Sequence, residues 1–239
     1  MKRFFKILGI LFVLIGIGIL GYFLYTQTDL FRISKIEFND HDHLNLTEIQ
    51  RESGIYLGLP YFMVDVKDAK MKLETHPFVK SAAIKKSFPG LIAIEIVYRT
   101  HAFNLTYSDI TLSLDSELYV LEVLEAPKSG FTVEGFEFNS FSTGELIRVD
   151  KRYLLENVVQ LIELFQKSHV TVVPSLKYEK NGIIADLNEI KVKFGDGENI
   201  QKRFNAFVSI YDDLSLKGIT SGIIDVSTDG LPIYKPFGE

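Results

Sequence analysis

The residues best suited to hold a metal or move a proton are grouped once in this sequence, at Asp40-His41-Asp42-His43. A zinc site needs three or four ligands converging tetrahedrally, and His76, His101 and His169 lie far away along the chain. The cluster therefore reads as a solvated turn between a strand and a helix. There is no cysteine, which excludes a disulfide framework, an iron–sulfur cluster, a Cys-type zinc site and a thiolate nucleophile. It also suits a location where a stray thiol would oxidise. No GxSxG, HExxH or GxxxxGK[ST] run occurs. Gly195-x-Gly197 is a lone glycine pair, suited to a hairpin or a helix start. With 31 Asp and Glu, some carboxylates must be neighbours, so carboxylate pairs carry no specific signal for acid–base catalysis. Asn45-Leu46-Thr47 and Asn104-Leu105-Thr106 match the glycosylation sequon; the first is read as a helix cap. The aromatic stripe from Phe204 to Tyr211 reads as core rather than as a cofactor pocket. No catalytic, cofactor-binding or metal-binding residue is assigned, and neither a cofactor nor a small-molecule substrate is expected.

The elements around these residues point to a membrane-tethered binding protein. Of 239 residues, 46% are apolar and 24% charged, a balance that builds a packed core and disfavours disorder. The first 28 residues hold three bases (Lys2, Arg3, Lys6) and no acid, leaving 23 bases against 31 acids beyond them. A surface of that sign repels phosphate, so no nucleic-acid partner is expected.

Ile7 to Thr28 is a run of 22 residues without a charge. At 1.5 Å per residue it reaches roughly 33 Å, enough to cross a hydrocarbon core of about 30 Å. Lys2, Arg3 and Lys6 before the run place the N-terminus in the cytoplasm and the rest outside. Tyr22 and Tyr25 fall where an outer aromatic belt would lie. A cleaved signal peptide has a shorter apolar region and a small-x-small site, which YFLYTQTDLF lacks. The glycines form no GxxxG pair, so pairing through this helix has little support. The expected boundaries are a cytoplasmic tail at 1–6, too short for a catalytic or signalling domain, then a transmembrane helix at 7–28. A small module follows at 29–99, a larger one at 100–236, and a C-terminal tail at 237–239.

The first module has the order β-α-α-β-β. FRISKIEF (31–38) is rich in β-branched and aromatic residues. Asn45 and Glu48 have capping-box spacing, and Gly54 is a helix stop. Asp65 caps a second helix carrying Val66, Ala69 and Leu73 on one face, and Pro77 ends it. FVKSAAIKKS is a strand and Phe88-Pro89-Gly90 a turn. Ile92, Ile94, Ile96 and Tyr98 then alternate along one face.

The second module reads as a mixed antiparallel sheet with two helices. Residues 100–126 alternate as in a meander. Asp150 opens a helix with Leu154, Val158, Leu161 and Phe165 at helical spacing. SLKYEK, GIIADL and EIKVKF read as strands. Asp196-Gly197 leads into a helix with Ile200, Phe204, Phe207, Tyr211 and Leu214 on one stripe, Asp196 and Glu198 suiting its positive end. GIIDV and LPIYK close the chain around the turn at 227–230. A terminal strand often lies at a sheet edge, where unpaired N–H and C=O groups can accept another strand. Val226, Ile233 and Tyr234 would flank such a contact or fill the core.

Residues 31–236 together resemble the bacterial cell-division family FtsQ/DivIB. The first module is similar to its POTRA domain, through Gly54–Ile55, Gly58, Phe62, Asp65, Pro77, Val79, Ala82 or Ala83, Pro89, Ile94 and Arg99. The second resembles its β domain, through LSLDSELYVL, through 190–214 with Gly195 and Lys202, and through IIDVSTDGLPIYKP. The resemblance implies an α+β protein that is not an enzyme and that acts at the septum within the divisome. Its expected partners are FtsB/DivIC-like and FtsL-like single-span proteins, with the bilayer contacted through 7–28. It implies strand addition at the last strands, aided by the preceding helix. That maps to Tyr211, Ile223, Ile224, Val226, Ser227, Thr228, Pro232, Ile233, Tyr234 and Lys235. Two other readings are a POTRA-bearing accessory of another envelope assembly or secretion machine, and an anchored envelope enzyme or ligand sensor.

Overall fold

A computed structural model describes residues 2–27, 29–39, 44–180, 182–228 and 230–237. The Asp40–His43 cluster lies outside the described residues, as does the side chain of Tyr25. The chain divides into two compact units, Met1–Tyr98 and Arg99–Glu239.

The first unit opens with α1 (Lys2–Gln27). Its stretch Lys6–Phe23 is long and apolar enough to cross a membrane, and none of it is buried against protein. A single helical turn (Asp29–Phe31) follows, then β1 (Lys35–Phe38) and α2 (Leu46–Ser53). After a second single turn (Tyr61–Met63) come α3 (Val66–Glu74), β2 (Val79–Ser87) and β3 (Leu91–Tyr98). The sheet order is β1-β3-β2, with β1 parallel and β2 antiparallel to the central β3.

The local chemistry explains the helix ends. The Glu48 amide donates to the Asn45 side chain at 3.1 Å, and the Asn45 amide donates back to the Glu48 carboxylate at 2.9 Å. Such a cap stabilises a helix by about 1 kcal/mol. Gly54 closes α2 at φ 71°, a left-handed conformation glycine adopts without strain. Asp65 accepts from the amides of Lys67 and Asp68 at the start of α3. Ile49, Ala69 and Leu73 then bury against Ala82, Ile92, Ile94 and Ile96. The strand expected over 31–38 begins only at Lys35. Its first part is taken by a loop: Ile33 donates to Leu59 and accepts from Gly58, and Arg32 bridges Pro60.

The second unit begins with the expected meander, β4 (Phe103–Tyr107), β5 (Ile110–Leu114) and β6 (Val120–Leu124). Next come β7 (Phe131–Glu134), α4 (Arg152–Lys167), β8 (Ser175–Glu179), β9 (Gly182–Leu187) and β10 (Ile190–Gly195). The unit ends with α5 (Ile200–Leu216), β11 (Gly222–Asp225) and β12 (Ile233–Lys235). They form one nine-stranded sheet in the order β12-β11-β10-β9-β8-β7-β4-β5-β6. Pairs β10/β11, β4/β7 and β7/β8 are parallel and the others antiparallel.

Both helices cover one face of this sheet. Phe165 of α4 meets Phe194, Phe204 and Phe207 with ring centroids 5.0–6.4 Å apart. The reverse face presents Lys177, Lys191 and Lys193 to solvent. The sequon residue Asn104 is buried; its side chain donates to Lys128 and Phe131 carbonyls and accepts from the Lys128 amide.

Four details differ from the sequence reading. The strand β7 was not expected, because four residues between loops are too few for alternation to register. Asp150 does not cap α4, which starts at Arg152 behind Lys151 with no side-chain cap. Asp196 does not sit in the first turn of α5; it accepts a hydrogen bond at 2.7 Å from Arg203 on that helix. Arg99, placed by the sequence at the end of the first module, is held in the second unit. Its guanidinium donates to Asp115 at 2.6 Å with both side chains buried, and lies 3.4 Å from the Tyr119 ring centroid.

Candidate functional site

The terminal strands β11 and β12 form the candidate site. β11 follows β10 in parallel through Lys191↔Ile223, Val192↔Ile224 and Lys193↔Asp225. β12 returns antiparallel through Ile223↔Lys235, Ile224↔Tyr234 and Asp225↔Ile233. Because alternate residues share a face, the core side carries the row Val192, Ile224, Tyr234. The open side carries two rows, Lys191–Ile223–Lys235 and Lys193–Asp225–Ile233.

A clamp holds the end of β11. The Val226 amide donates to the Lys193 carbonyl at 3.0 Å, and the Ser227 amide and hydroxyl donate to Asp225 at 3.0 and 2.6 Å. Gly195 sits at a bulge in β10 with φ 67°. A side chain there would place Cβ 2.7 Å from the Ser227 carbonyl oxygen and 2.9 Å from the Arg203 guanidinium. Buried Arg203 donates to the Phe194 carbonyl at 2.6 Å and to Asp196. The Glu198 amide and Arg203 together hold the Asp196 carboxyl below its ordinary pKa. β12 is fastened by the Tyr234 hydroxyl, which donates to the Ser221 carbonyl at 2.7 Å while its ring covers side-chain-free Gly222.

The ten residues mapped from sequence separate by exposure. Ile224 and Val226 are core residues, so within the mapped stretch their side chains turn inward and anchor the end of β11. Tyr211, Ile223, Ser227 and Tyr234 are half-buried. Thr228, Pro232, Ile233 and Lys235 are exposed, Ile233 by 51%. The final strand starts at Ile233, so Leu231 and Pro232 of the expected strand lie in the preceding loop. Leu231 is 89% exposed, an apolar residue beside the site that the sequence pattern had hidden inside that strand. Tyr211 lies apart on α5, lining a shallow cleft with Leu187, Ile190 and Ile219.

The two sheet edges are not equivalent. β6 is shielded at its start, where Val120 donates to Glu145 and accepts from Gly144. β12 has a single strand neighbour among the described residues. Its outer N–H and C=O groups are those an added strand would use. Among the described residues no three His, Asp or Glu side chains gather in metal-binding geometry. His169 pairs with Asp212 at the surface, and His101 shares a 2.9 Å hydrogen bond with Ser113. Burial, and then the nearby Lys128 charge, push the His101 pKa below 6.5.

Comparison with known proteins matches residues 31–99 to the FtsQ-type POTRA domain. The cell division protein DivIB of Clostridium botulinum strain Hall is 25% identical across 98% of this chain and 91% of its own. DivIB of Clostridium tetani is 23% identical across 85% and 78%. DivIB of Geobacillus kaustophilus is 32% identical over 30% of this chain and 28% of its own.

Proposed function

From the premise that this chain belongs to the FtsQ/DivIB family of bacterial cell-division proteins, we propose that it is a bitopic scaffold assembling the septal division complex. The family is not an enzyme family, and a role in division follows from membership. In this reading α1 spans the membrane with the N-terminus in the cytoplasm, and both folded units stand outside at the division septum. The partners are FtsB/DivIC-like and FtsL-like single-span proteins, engaged by strand addition on β12. The observation that carries this is the β12 edge, which has one strand neighbour among the described residues and is flanked by exposed Leu231, Pro232, Ile233 and Lys235.

An added strand would extend the two open-face rows by one residue each. Its side chains would then meet Lys235 in one row and Ile233 in the other. Ser227, Thr228 and Ile223 would border the contact. Tyr211 would take part only if the partner continues across the start of β11 to the α5 cleft.

The test is affinity capture of the full-length chain from membranes of its own cells. Capture of a small single-span coiled-coil partner, lost in Ile233→Glu while the variant still folds, supports the reading. Retained capture moves the site elsewhere. No such partner reopens the reading as an accessory of another envelope machine.

A further inference from the structure

The three loops at the entry end of the first unit bring aromatic side chains together, with exposed Phe62 and Phe88 over half-buried Phe31 and buried Tyr61. Phe31 closes the turn after α1, Tyr61 and Phe62 come from the 58–63 loop, and Phe88 from the 87–90 turn. The centroids Phe31–Phe62, Phe31–Phe88 and Tyr61–Phe88 are 5.7, 6.1 and 6.2 Å apart. Ordinary packing would hide such rings, yet Phe62 is 62% exposed, Phe88 59% and Met63 74%. The backbone fixes the convergence: Ile33 pairs with Leu59 and Gly58, and Ser34 donates to Gly90. The POTRA core below contains none of Phe31, Phe62 or Phe88.

We infer that this aromatic tip lies in the interfacial layer of the lipid bilayer, as a second membrane contact beside α1. The inference rests on the membrane-spanning reading of α1. Its occupant follows from chain length. Phe31 is four positions beyond Gln27, the last residue of α1, a reach of at most about 14 Å. The 26 residues of α1 extend about 39 Å, longer than the roughly 30 Å hydrocarbon core and close to the full bilayer with headgroups. Phe31 is therefore tethered within reach of the headgroup layer, and Phe62 and Phe88 are in ring contact with it. Aromatic and large apolar groups favour that layer. Lys86, with its ammonium 4.7 Å from the Tyr61 ring centroid, and exposed Arg32 flank the tip. Arg32 now pairs with Asp29 and Gly58 and Lys86 donates to Val64; at the membrane both would exchange these contacts for lipid phosphates.

The chain has no tryptophan, so single Trp reporters are silent except where placed. The full chain would be reconstituted alone, at high lipid-to-protein ratio, in vesicles with or without acyl-chain-brominated lipid. The reporters are Phe62→Trp and Phe88→Trp at the tip, Phe12→Trp in α1, and Tyr153→Trp, exposed in the second unit. Loss of emission with brominated lipid is expected at positions 62, 88 and 12, and none at 153. Quenching at 12 without quenching at 62 or 88 overturns the tip contact and leaves the anchor standing. No quenching at 12 refutes the anchor, and the tip falls with it. Blue-shifted emission at 62 and 88 that bromine does not quench, and that fades on dilution in lipid, would mean a second copy covers the tip instead.

Discussion

Replacing Ile233 separates binding at the β12 edge from folding of the sheet. Ile233 is 51% exposed, and complete burial of such a side chain is worth about 1.5–3 kcal/mol. An added strand that covers the remaining half would gain roughly 1 kcal/mol from this residue. A carboxylate there loses that gain, and its partial desolvation costs at least as much again. Ile233→Glu should thus weaken the partner by about 2 kcal/mol, near 30-fold in Kd. The residue opposite is Asp225, so Glu also sets two like charges across the pair, costing the fold about 0.2–1 kcal/mol. Ile233→Lys reverses that effect, since Lys faces Asp225 favourably. The two variants should therefore differ in melting temperature, Glu below and Lys at or above the parent, yet both should bind more weakly. Calorimetric titration with the partner's extracytoplasmic segment, beside thermal unfolding, reads both quantities. Affinities within about twofold of the parent (~0.4 kcal/mol) in both variants would refute burial of Ile233 by an added strand.

Arg99→Ala should destabilise the second unit by about 3–5 kcal/mol, because it leaves the Asp115 carboxylate buried without its cation; denaturant unfolding checks this, and a loss below about 1 kcal/mol would contradict the pairing. Gly195→Ala should cost about 1–2 kcal/mol from the left-handed backbone alone, with more from the Ser227 and Arg203 contacts; partner affinity should fall with it as the end of β11 shifts. The His101 pKa lies below its unfolded value of 6.5, so the unfolded chain binds the proton first as pH falls. The His101 contribution is therefore complete above about pH 6.5 and declines below it, down to the folded pKa. His101→Gln should flatten that slope in unfolding measured across pH, and an unchanged slope would assign it to other groups.

Legibility in the sequence followed the range of the interactions. Asn45–Glu48, Gly54 and Asp65 act within four residues, and each does in the fold what its spacing indicated. Strands β2, β3, β9 and β10 alternate over six to nine residues and were readable for the same reason. The apolar run of α1 declares itself by length. Asp150 and Asp196 were misplaced because a carboxylate near a helix start has several donors to choose from, and tertiary packing offered Asp196 the Arg203 guanidinium.

The membrane-length helix, the β-α-α-β-β order and the closing hairpin are written in local signals, since periodicity, caps and turns act over a few residues. Long-range packing set the place of β7 between β4 and β8 in the sheet, and left β12 with one strand neighbour among the described residues while β6 is shielded at its start. It also decided which hairpin residues are core and which are surface: Ile224 and Val226 turn inward and Ile233 outward. All three are apolar and lie in or beside two short strands, and only the helices packed on one face of the sheet distinguish them. The aromatic tip has the same origin. Phe31, Phe62 and Phe88 are scattered along the chain, and the pairing of three loops through backbone hydrogen bonds brings them into contact.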